Sequence, residues 1–229
     1  MADRPSRFLD SRDYWITPLI EGALLGAGAL LTSLLRPAFP GAGWIELGLL
    51  FYACVVLLTL FVLKFLRTFY PLREGIHSGG KSVTFYVWRL YGFLCLMNLH
   101  PVQTPGLLPD PVRALLLRAM GMKIGKGAVI GGVISDPHLT TVGDHAIIGA
   151  GSTLSAHAII RTGPGFALVI GRIQVAGHAL ISTGAILSPG ARVMDGAMVN
   201  PNSVVPMNAC IGADELWSGA PAAKVRKLC

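Results

Sequence analysis

With 229 residues, the chain has room for one domain and some appended segments. Its content of 52% hydrophobic and 14% charged residues is too apolar for an ordinary soluble domain, so membrane segments are the simplest explanation. The net charge is +7, yet the sequence shows no nucleic-acid motif, so the charge indicates a membrane surface and excludes a nucleic-acid partner.

Two apolar runs near the N-terminus predict a transmembrane α-hairpin. Residues 16–35 form the first run, and a helix of that length spans about 30 Å, the thickness of a bilayer's hydrocarbon core. Residues 45–63 form the second run after a short loop. Lys and Arg residues precede the first run and follow the second. The positive-inside rule therefore places both chain ends on the cytoplasmic side of the inner (cytoplasmic) membrane. Glu21 lies within the first helix, and the sequence leaves open a structural or a functional role for it.

The segment after the hairpin predicts two more helices. Residues 83–99 are apolar and aromatic but contain Arg89, which favours a helix in the membrane interface over a third span. A short amphipathic helix follows over residues 111–120. Its Arg113 and Arg118 suit either lipid headgroups or the closing of a repeat that begins just afterwards, and we favour the closing role.

From Ile124 onwards, an aliphatic residue returns every six positions. The anchors are Ile124, Ile130, Val142, Ile148, Leu154 and Ile160, then Val169, Val175, Ile181, Leu187, Val193, Val199, Val205, Ile211 and Trp217. Asp136 is the one polar residue at an anchor position. A period of six fits neither a helix nor an alternating strand, but it fits short strands joined by tight corners. The pattern therefore predicts a β-solenoid, whose coils bury a core only by stacking on their neighbours.

This repeat resembles the hexapeptide-repeat acyltransferases. The resemblance implies a mainly β fold, a left-handed parallel β-helix of about five coils with three hexads each, which assembles as a homotrimer. Residues 117–131 (LRAMGMKIGKGAVIG) resemble the entry into that repeat domain. Together with the membrane region, they are more loosely similar to the C-terminal part of poly-lysine-synthetase-like proteins. The expected division is a tail and hairpin over residues 1–70, a linker with helices over 71–121, the β-helix over 122–217 and a CoA-contacting tail over 218–229.

Counting hexads predicts which side chains share an edge. One spacing is nine residues instead of six and contains the sequence TGPG, which we interpret as a small bulge. Leu154 and Val175 then lie on the same side of consecutive coils. His157 and His178 follow these anchors by three positions, so they are expected to stack about 4.8 Å apart, with Asp136 on the same side.

The hexad around His157 (LSAHAI) resembles the catalytic hexad of the family, which implies that His157 is the general base of acyl transfer. The alternative is a turn histidine that bonds the backbone. Asp136 either orients a histidine or ties down a turn. For His178, a structural or substrate-contacting role competes with that of base. His138 and His145 are expected to be structural or solvated.

The C-terminal stretch LWSGAPAAKVRKL resembles the G-x-P-A-x-x-x-R ending of acyl-CoA-dependent members. The resemblance implies that the backbone of Gly219 and Ala220 passes close to the CoA arm or adenine. It also implies that Lys224 and Arg226 bind the nucleotide phosphates. The alternative is a capping turn followed by a solvated basic tail.

The function predicted from the sequence is a membrane-anchored O- or N-acyltransferase. Its co-substrate is acyl-CoA, with acetyl-CoA as the expected donor, and no metal is required. The acceptor is a hydroxyl or amine, and a lipid, a lipid-linked molecule or another hydrophobic compound would suit a membrane hairpin. One alternative is a non-catalytic trimeric scaffold. Another is a zinc hydratase of the γ-carbonic-anhydrase kind, which needs two histidines five residues apart. The gaps between His138, His145, His157 and His178 are instead 7, 12 and 21 residues.

Overall fold

Two long apolar helices open the part of the chain described by the computed structural model, which covers residues 13–78, 82–163 and 165–228. Helix α1 spans Asp13–Leu35 and α2 spans Trp44–Phe69. They pack against each other at Gly28, where an added Cβ would lie 2.7 Å from Val55 Cγ2. By length and composition both helices could cross a membrane, with mean hydropathies of 1.6 and 2.6.

Helix α3 (Val83–Asn98) links the two apolar helices to the rest of the fold. The amide of Asn98 donates to Glu21 of α1 at 3.1 Å, and the hydroxyl of Tyr52 of α2 donates to the Asn98 carbonyl at 3.0 Å. Glu21 therefore has a structural partner. Seven α3 residues are buried by protein, namely Phe85, Val87, Leu90, Tyr91, Leu94, Cys95 and Asn98. The sequence predicted a helix in the membrane interface and did not foresee this packing.

Three parallel ladders form the β-helix, with the strands of each ladder stacked in successive coils. The first face contains β2 (Lys123–Ile124), β5 (Thr140–Val142), β10 (Ile173–Val175), β13 (Arg192–Val193) and β16 (Cys210–Ile211). The second contains β3 (Val129–Ile130), β6 (Ile147–Ile148), β11 (Leu180–Ile181), β14 (Met198–Val199) and β17 (Glu215–Gly219). The third contains β4 (Val133–Ile134), β7 (Thr153–Leu154), β12 (Ile186–Leu187) and β15 (Val204–Val205).

The anchors fill the interior, as the period of six predicted. Ile148, Leu154, Ile181, Leu187, Val199, Val205 and Ile211 are all fully buried. The first coil departs from the period, because Ile134 and not Asp136 pairs with Leu154 and fills the core position. Asp136 instead begins a short 3-10 turn over Pro137–Leu139. The polar intruder is thus not an anchor, and an aliphatic residue two positions earlier takes its place.

A hairpin leaves the coil between Leu154 and Val175, and it overturns the predicted register. Strands β8 (His157–Thr162) and β9 (Gly165–Ile170) pair antiparallel, and β1 (Gly75–Ser78) pairs antiparallel with β9. The coil resumes with Val175 beside Val142 on the first face, not above Leu154 on the third. The prediction treated only three residues as extra, whereas the whole stretch from His157 to Ile170 lies outside the ladders.

Helix α5 (Asp110–Ala119), which follows the short α4 (His100–Gln103), covers the open edge of the first coil. Arg113 is 2% exposed, and its guanidinium donates to the carbonyls of Val102, Ile130 and Gly132. Arg118 donates to the carbonyl of Ile124 at 3.2 Å. Ile124 and Ile130 belong to β2 and β3, the edge strands of their ladders. Both arginines therefore bond the edge of the solenoid that the sequence predicts they close.

We expect Arg113→Met to lower the free energy of unfolding by about 3 kcal/mol or more, because three buried carbonyls lose a charged donor. Arg118→Met is the matched control. It should cost at most about 1 kcal/mol, since that side chain is exposed and makes one bond. Thermal denaturation of the two purified variants measures the difference, and equal losses would contradict a special role for the buried arginine.

Candidate functional site

Asp136 and His157 form the most strongly organised polar pair of the β-helix. Nδ1 of His157 lies 2.7 Å from Oδ2 of Asp136. The carboxylate is buried, with 5% of its side chain exposed, whereas 27% of the His157 side chain is exposed. The same carboxylate oxygen accepts the backbone N–H of Ala156 at 3.0 Å. The sequence predicted this neighbourhood, and the structure brings these two residues together.

The third ladder explains why the two residues meet. Ile134 pairs with Leu154, so the residues two positions further along, Asp136 and Ala156, also lie side by side. His157 is the first residue of the excursion and starts beside that carboxylate. The hydroxyl of Thr140 donates to the carbonyl of Asp136 at 2.9 Å, which holds the turn that carries the carboxylate.

The pair fixes which nitrogen of His157 is available. A carboxylate only accepts hydrogen bonds, so Nδ1 carries the proton that it donates to Asp136. Nε2 is then the nitrogen with a lone pair, and it can take a proton from a nucleophile. Trp88 of α3 packs on the imidazole, with ring centroids 4.8 Å apart, and limits how the ring can turn. Such an arrangement can act as a general base held by a carboxylate.

His178 lies elsewhere, contrary to the prediction that it stacks on His157. It stacks on His145, with ring centroids 5.4 Å apart and an interplanar angle of 20°. Both histidines are exposed and occupy one column of corners with positive φ values of 53° and 55°. The physical reason is the hairpin, which returns the chain to the first face and so carries His178 to the corner after that face.

His138 is a partly buried histidine near the pair of Asp136 and His157. Its ring packs against Tyr91 with centroids 4.1 Å apart, and neither ring nitrogen has a hydrogen-bond partner in the described part of the chain. Burial lowers the pKa of His138 to about 4, although the nearby Asp136 carboxylate opposes the shift. The imidazole is therefore uncharged at neutral pH, and it forms no hydrogen bond with Asp136.

The C-terminal stretch folds back as a hairpin on the last coil. Strand β18 (Ala222–Lys227) pairs antiparallel with β17. Lys224 Nζ lies 2.6 Å from Oε1 of Glu215, whose other oxygen accepts from the indole of Trp217 and the backbone of Gly212. The hydrogen bond from Lys224, then those from Trp217 and Gly212, lower the pKa of Glu215 to about 2. Lys224 thus already has an anionic partner within the chain.

The other predicted donor-site residues lie on the same hairpin. The backbone N–H of Gly219 donates to Ser203 Oγ at 3.1 Å, and Gly219 has a positive φ of 105° that favours glycine. Ala220 forms the turn to β18 with Pro221. The Arg226 side chain has no hydrogen bond or ion pair to any residue that the structure describes. In residues 13–78, 82–163 and 165–228, no group of three or more His, Cys, Asp or Glu side chains could hold a metal ion.

Two contacts at this site escaped the sequence analysis. Trp88 and Tyr91 lie one helical turn apart on α3 and pack on His157 and His138 respectively. The aromatic content of residues 83–99 was noticed, but it was attributed to a membrane interface. Glu215 was also missed, because its bond to Lys224 depends on the strand that folds back after Pro221.

No protein-family model matches the chain, and no curated protein matches it either. Similar solved structures are hexapeptide-repeat acetyltransferases and related enzymes. One is a hexapeptide-repeat acetyltransferase of Vibrio cholerae in complex with acetyl-CoA, 19% identical over 67% of this chain and 93% of its own, with a TM-score of 0.50. Another is a maltose O-acetyltransferase of Clostridium difficile, 13% identical over 66% of this chain and 93% of its own, also with a TM-score of 0.50. At these identities the likeness shows the fold, a parallel β-helix.

Proposed function

We propose that the chain is a membrane-anchored acyltransferase that moves an acyl group from acyl-CoA to a hydroxyl or amine. The observation that carries the proposal is the hydrogen bond between Asp136 and His157, which leaves Nε2 of a half-buried imidazole available as a base. The shared fold supports it, since one similar structure is an acetyltransferase in complex with acetyl-CoA and the other is an O-acetyltransferase. Acetyl-CoA is accordingly the donor that we expect.

The proposed mechanism uses His157 as base and Asp136 as its positioning residue. Nε2 removes the proton of the acceptor as its oxygen or nitrogen attacks the thioester carbonyl. The C–S bond then breaks, and the CoA thiolate takes up the proton, which gives acylated acceptor and CoA thiol. Asp136 holds the ring and stabilises the imidazolium that forms between these steps. His178 lies beside His145 and not beside His157, so within one chain this mechanism does not use it as the base.

Donor binding is proposed for the C-terminal hairpin. Gly219 and Ala220 offer backbone without bulky side chains, which suits the CoA arm. Arg226 would bind phosphate first, because its side chain has no partner in the described residues. Lys224 would have to share its charge with Glu215.

In the family that the repeat resembles, acceptor and donor meet between subunits of a homotrimer, and we propose that assembly here. A detergent-corrected mass equal to one 24.2 kDa chain at all concentrations would refute it.

Membrane anchoring is proposed for α1 and α2, with the β-helix on the cytoplasmic side. Both helices are long and apolar, and large apolar side chains cover their outer surfaces, including Leu30, Leu34, Trp44, Ile45, Leu57 and Phe61. Lys64 and Arg67 lie in the last turns of α2 and Arg73 follows that helix, and these three cations fit the cytoplasmic side.

His157→Ala should lower the rate of acyl transfer by about 10²–10⁴-fold, the usual contribution of a positioned general base. Asp136→Asn keeps the shape of the side chain but removes its charge, and it should also lower the rate of acyl transfer. The measurement is release of CoA thiol from acetyl-CoA in the presence of membrane extract as acceptor. His145→Ala is the matched control, because it removes an exposed histidine from the same β-helix. Loss of activity in the control as severe as in His157→Ala, with both proteins folded, would refute the assignment.

Arg226→Ala should weaken CoA binding by about tenfold, since it removes one charge-assisted contact to phosphate. Lys224→Ala should have a smaller effect, because Glu215 already neutralises part of that charge. Binding of CoA is measured by calorimetry at two salt concentrations. The affinity of the Arg226 variant should depend on salt less than that of the unmodified protein. Unchanged affinity in a variant that combines Lys224→Ala with Arg226→Ala would favour a tail that serves only to cap the solenoid.

Single cysteines placed at Gly41 and at Arg226 should be labelled from opposite sides of the membrane. The first lies between α1 and α2, and the second lies on the C-terminal hairpin. A membrane-impermeant maleimide applied to sealed vesicles reads out the side, in a background where the native cysteines are replaced by serine. Labelling of both positions from the same side would exclude the proposed topology.

A further inference from the structure

A basic pocket lies where the end of α2 meets the β-helix. Its volume is about 350 Å³, and residues of α2, α3 and the first coils line it. Three of the lining side chains are cationic, namely Lys64, Arg67 and Arg172, and none is acidic. A pocket with this charge favours an anion, and a phosphate group suits it because lysine and arginine bind phosphate through charge-assisted hydrogen bonds.

The three cations differ in how far the protein already engages them. Arg172 forms an ion pair with Glu74 at 3.2 Å, and both side chains are about half exposed. Arg67 donates one hydrogen bond, to the carbonyl of Ala119 at 3.1 Å, and keeps other N–H groups. The exposed side chain of Lys64 has no hydrogen bond or ion pair to the described residues. Positive charge therefore remains uncompensated at the mouth of the pocket.

An apolar track leads along α2 to this mouth. Leu57 and Phe61 are 67% and 69% exposed. Lys64 and Thr68, which both line the pocket, follow Leu57 by seven and eleven positions and so lie on the same face of the helix. This face is apolar over about one turn, from Leu57 to Phe61, and then becomes polar at the pocket, as the chains and the headgroup of a lipid require.

We propose that the pocket binds the phosphate of a membrane lipid whose acyl chains lie along Leu57 and Phe61 of α2. The proposal rests on the membrane placement of α1 and α2 proposed above, and it does not depend on the acyl-transfer chemistry. Basic pockets beside membrane helices on the cytoplasmic side hold anionic headgroups for the same electrostatic reason. The pocket also lies close to the pair of Asp136 and His157, because His138 lines it and follows Asp136 by two residues.

The test titrates the full-length chain in non-ionic detergent with three probes in the absence of acyl-CoA. These are dioctanoyl phosphatidic acid, dioctanoylglycerol and inorganic phosphate, and native mass spectrometry counts the bound molecules. We expect one saturable site for phosphatidic acid and much weaker binding of the other two probes, because each offers only half of the interaction. Equal affinity for inorganic phosphate would overturn the lipid proposal in favour of a soluble anion, and equal affinity for dioctanoylglycerol would overturn the role of the charges.

Charge variants locate the site. Lys64→Gln combined with Arg67→Gln should weaken phosphatidic acid binding by about tenfold or more. Lys126→Gln combined with Arg192→Gln removes the same charge from exposed positions of the β-helix and should leave binding unchanged. Lys64→Gln alone, at an exposed side chain without contacts, should still lower affinity by about threefold and covers the case in which the double variant unfolds. An equal loss of affinity for phosphatidic acid in the control pair would refute the assignment of binding to this pocket. Thiol release from acetyl-CoA is measured separately, so failure of lipid binding and failure of acyl transfer are distinguishable.

Discussion

Hydrogen bonding between the backbones of successive coils is the constraint on which the fold depends. Each short strand bonds the strand of the next coil, and one coil alone has neither a core nor bonded edges. The two ends of the stack must therefore be closed. At the first coil, α5 supplies the guanidinium groups of Arg113 and Arg118 to carbonyls that no further strand can bond. At the last coil, β18 folds back antiparallel on β17 and ends the ladder.

The same constraint decides where the chain can leave the solenoid. The excursion begins after Ala156 and ends before Gly171, and the N–H of Gly171 donates to the carbonyl of Ala156 at 2.9 Å. The two ends of the hairpin therefore meet, and the ladders continue above and below it. Gly171 is required at this point, because a Cβ there would lie 2.5 Å from the backbone nitrogen of Gly190. His157 comes directly after the exit, which places its imidazole beside the buried carboxylate of the preceding coil.

The sequence was sufficient for the features that repeat and for those that are local. The period of six identified the core residues, and the arginines of a short helix identified the cap. The pair of Asp136 with His157 was also predicted, although by treating Asp136 as an anchor when Ile134 holds that position. The predicted and the observed registers both place Asp136 and His157 on adjacent coils, because Ile134 and Asp136 are only two positions apart at the same side of the solenoid.

Other features depend on contacts between distant parts of the chain, and no local pattern reveals them. The hairpin of β8 and β9 is completed by β1, whose Ile76 pairs with Val169 from far earlier in the sequence. Without that strand, the TGPG sequence looks like a small bulge, and the error of register that follows moves His178 to the wrong edge. The contact of Trp88 with His157 was hidden for the same reason, because an aromatic helix that packs on protein has the same composition as one that lies in a membrane interface.

Helix α3 fixes the distance between the dyad and the apolar helices. Trp88 near one end packs on His157, and Asn98 at the other end bonds Glu21 and Tyr52. Ten residues of helix separate them, which is about 15 Å along the axis. A helix of that length holds His157 at a set distance from the hydrogen bonds of Asn98, whereas a flexible linker would let the β-helix drift away from the apolar helices.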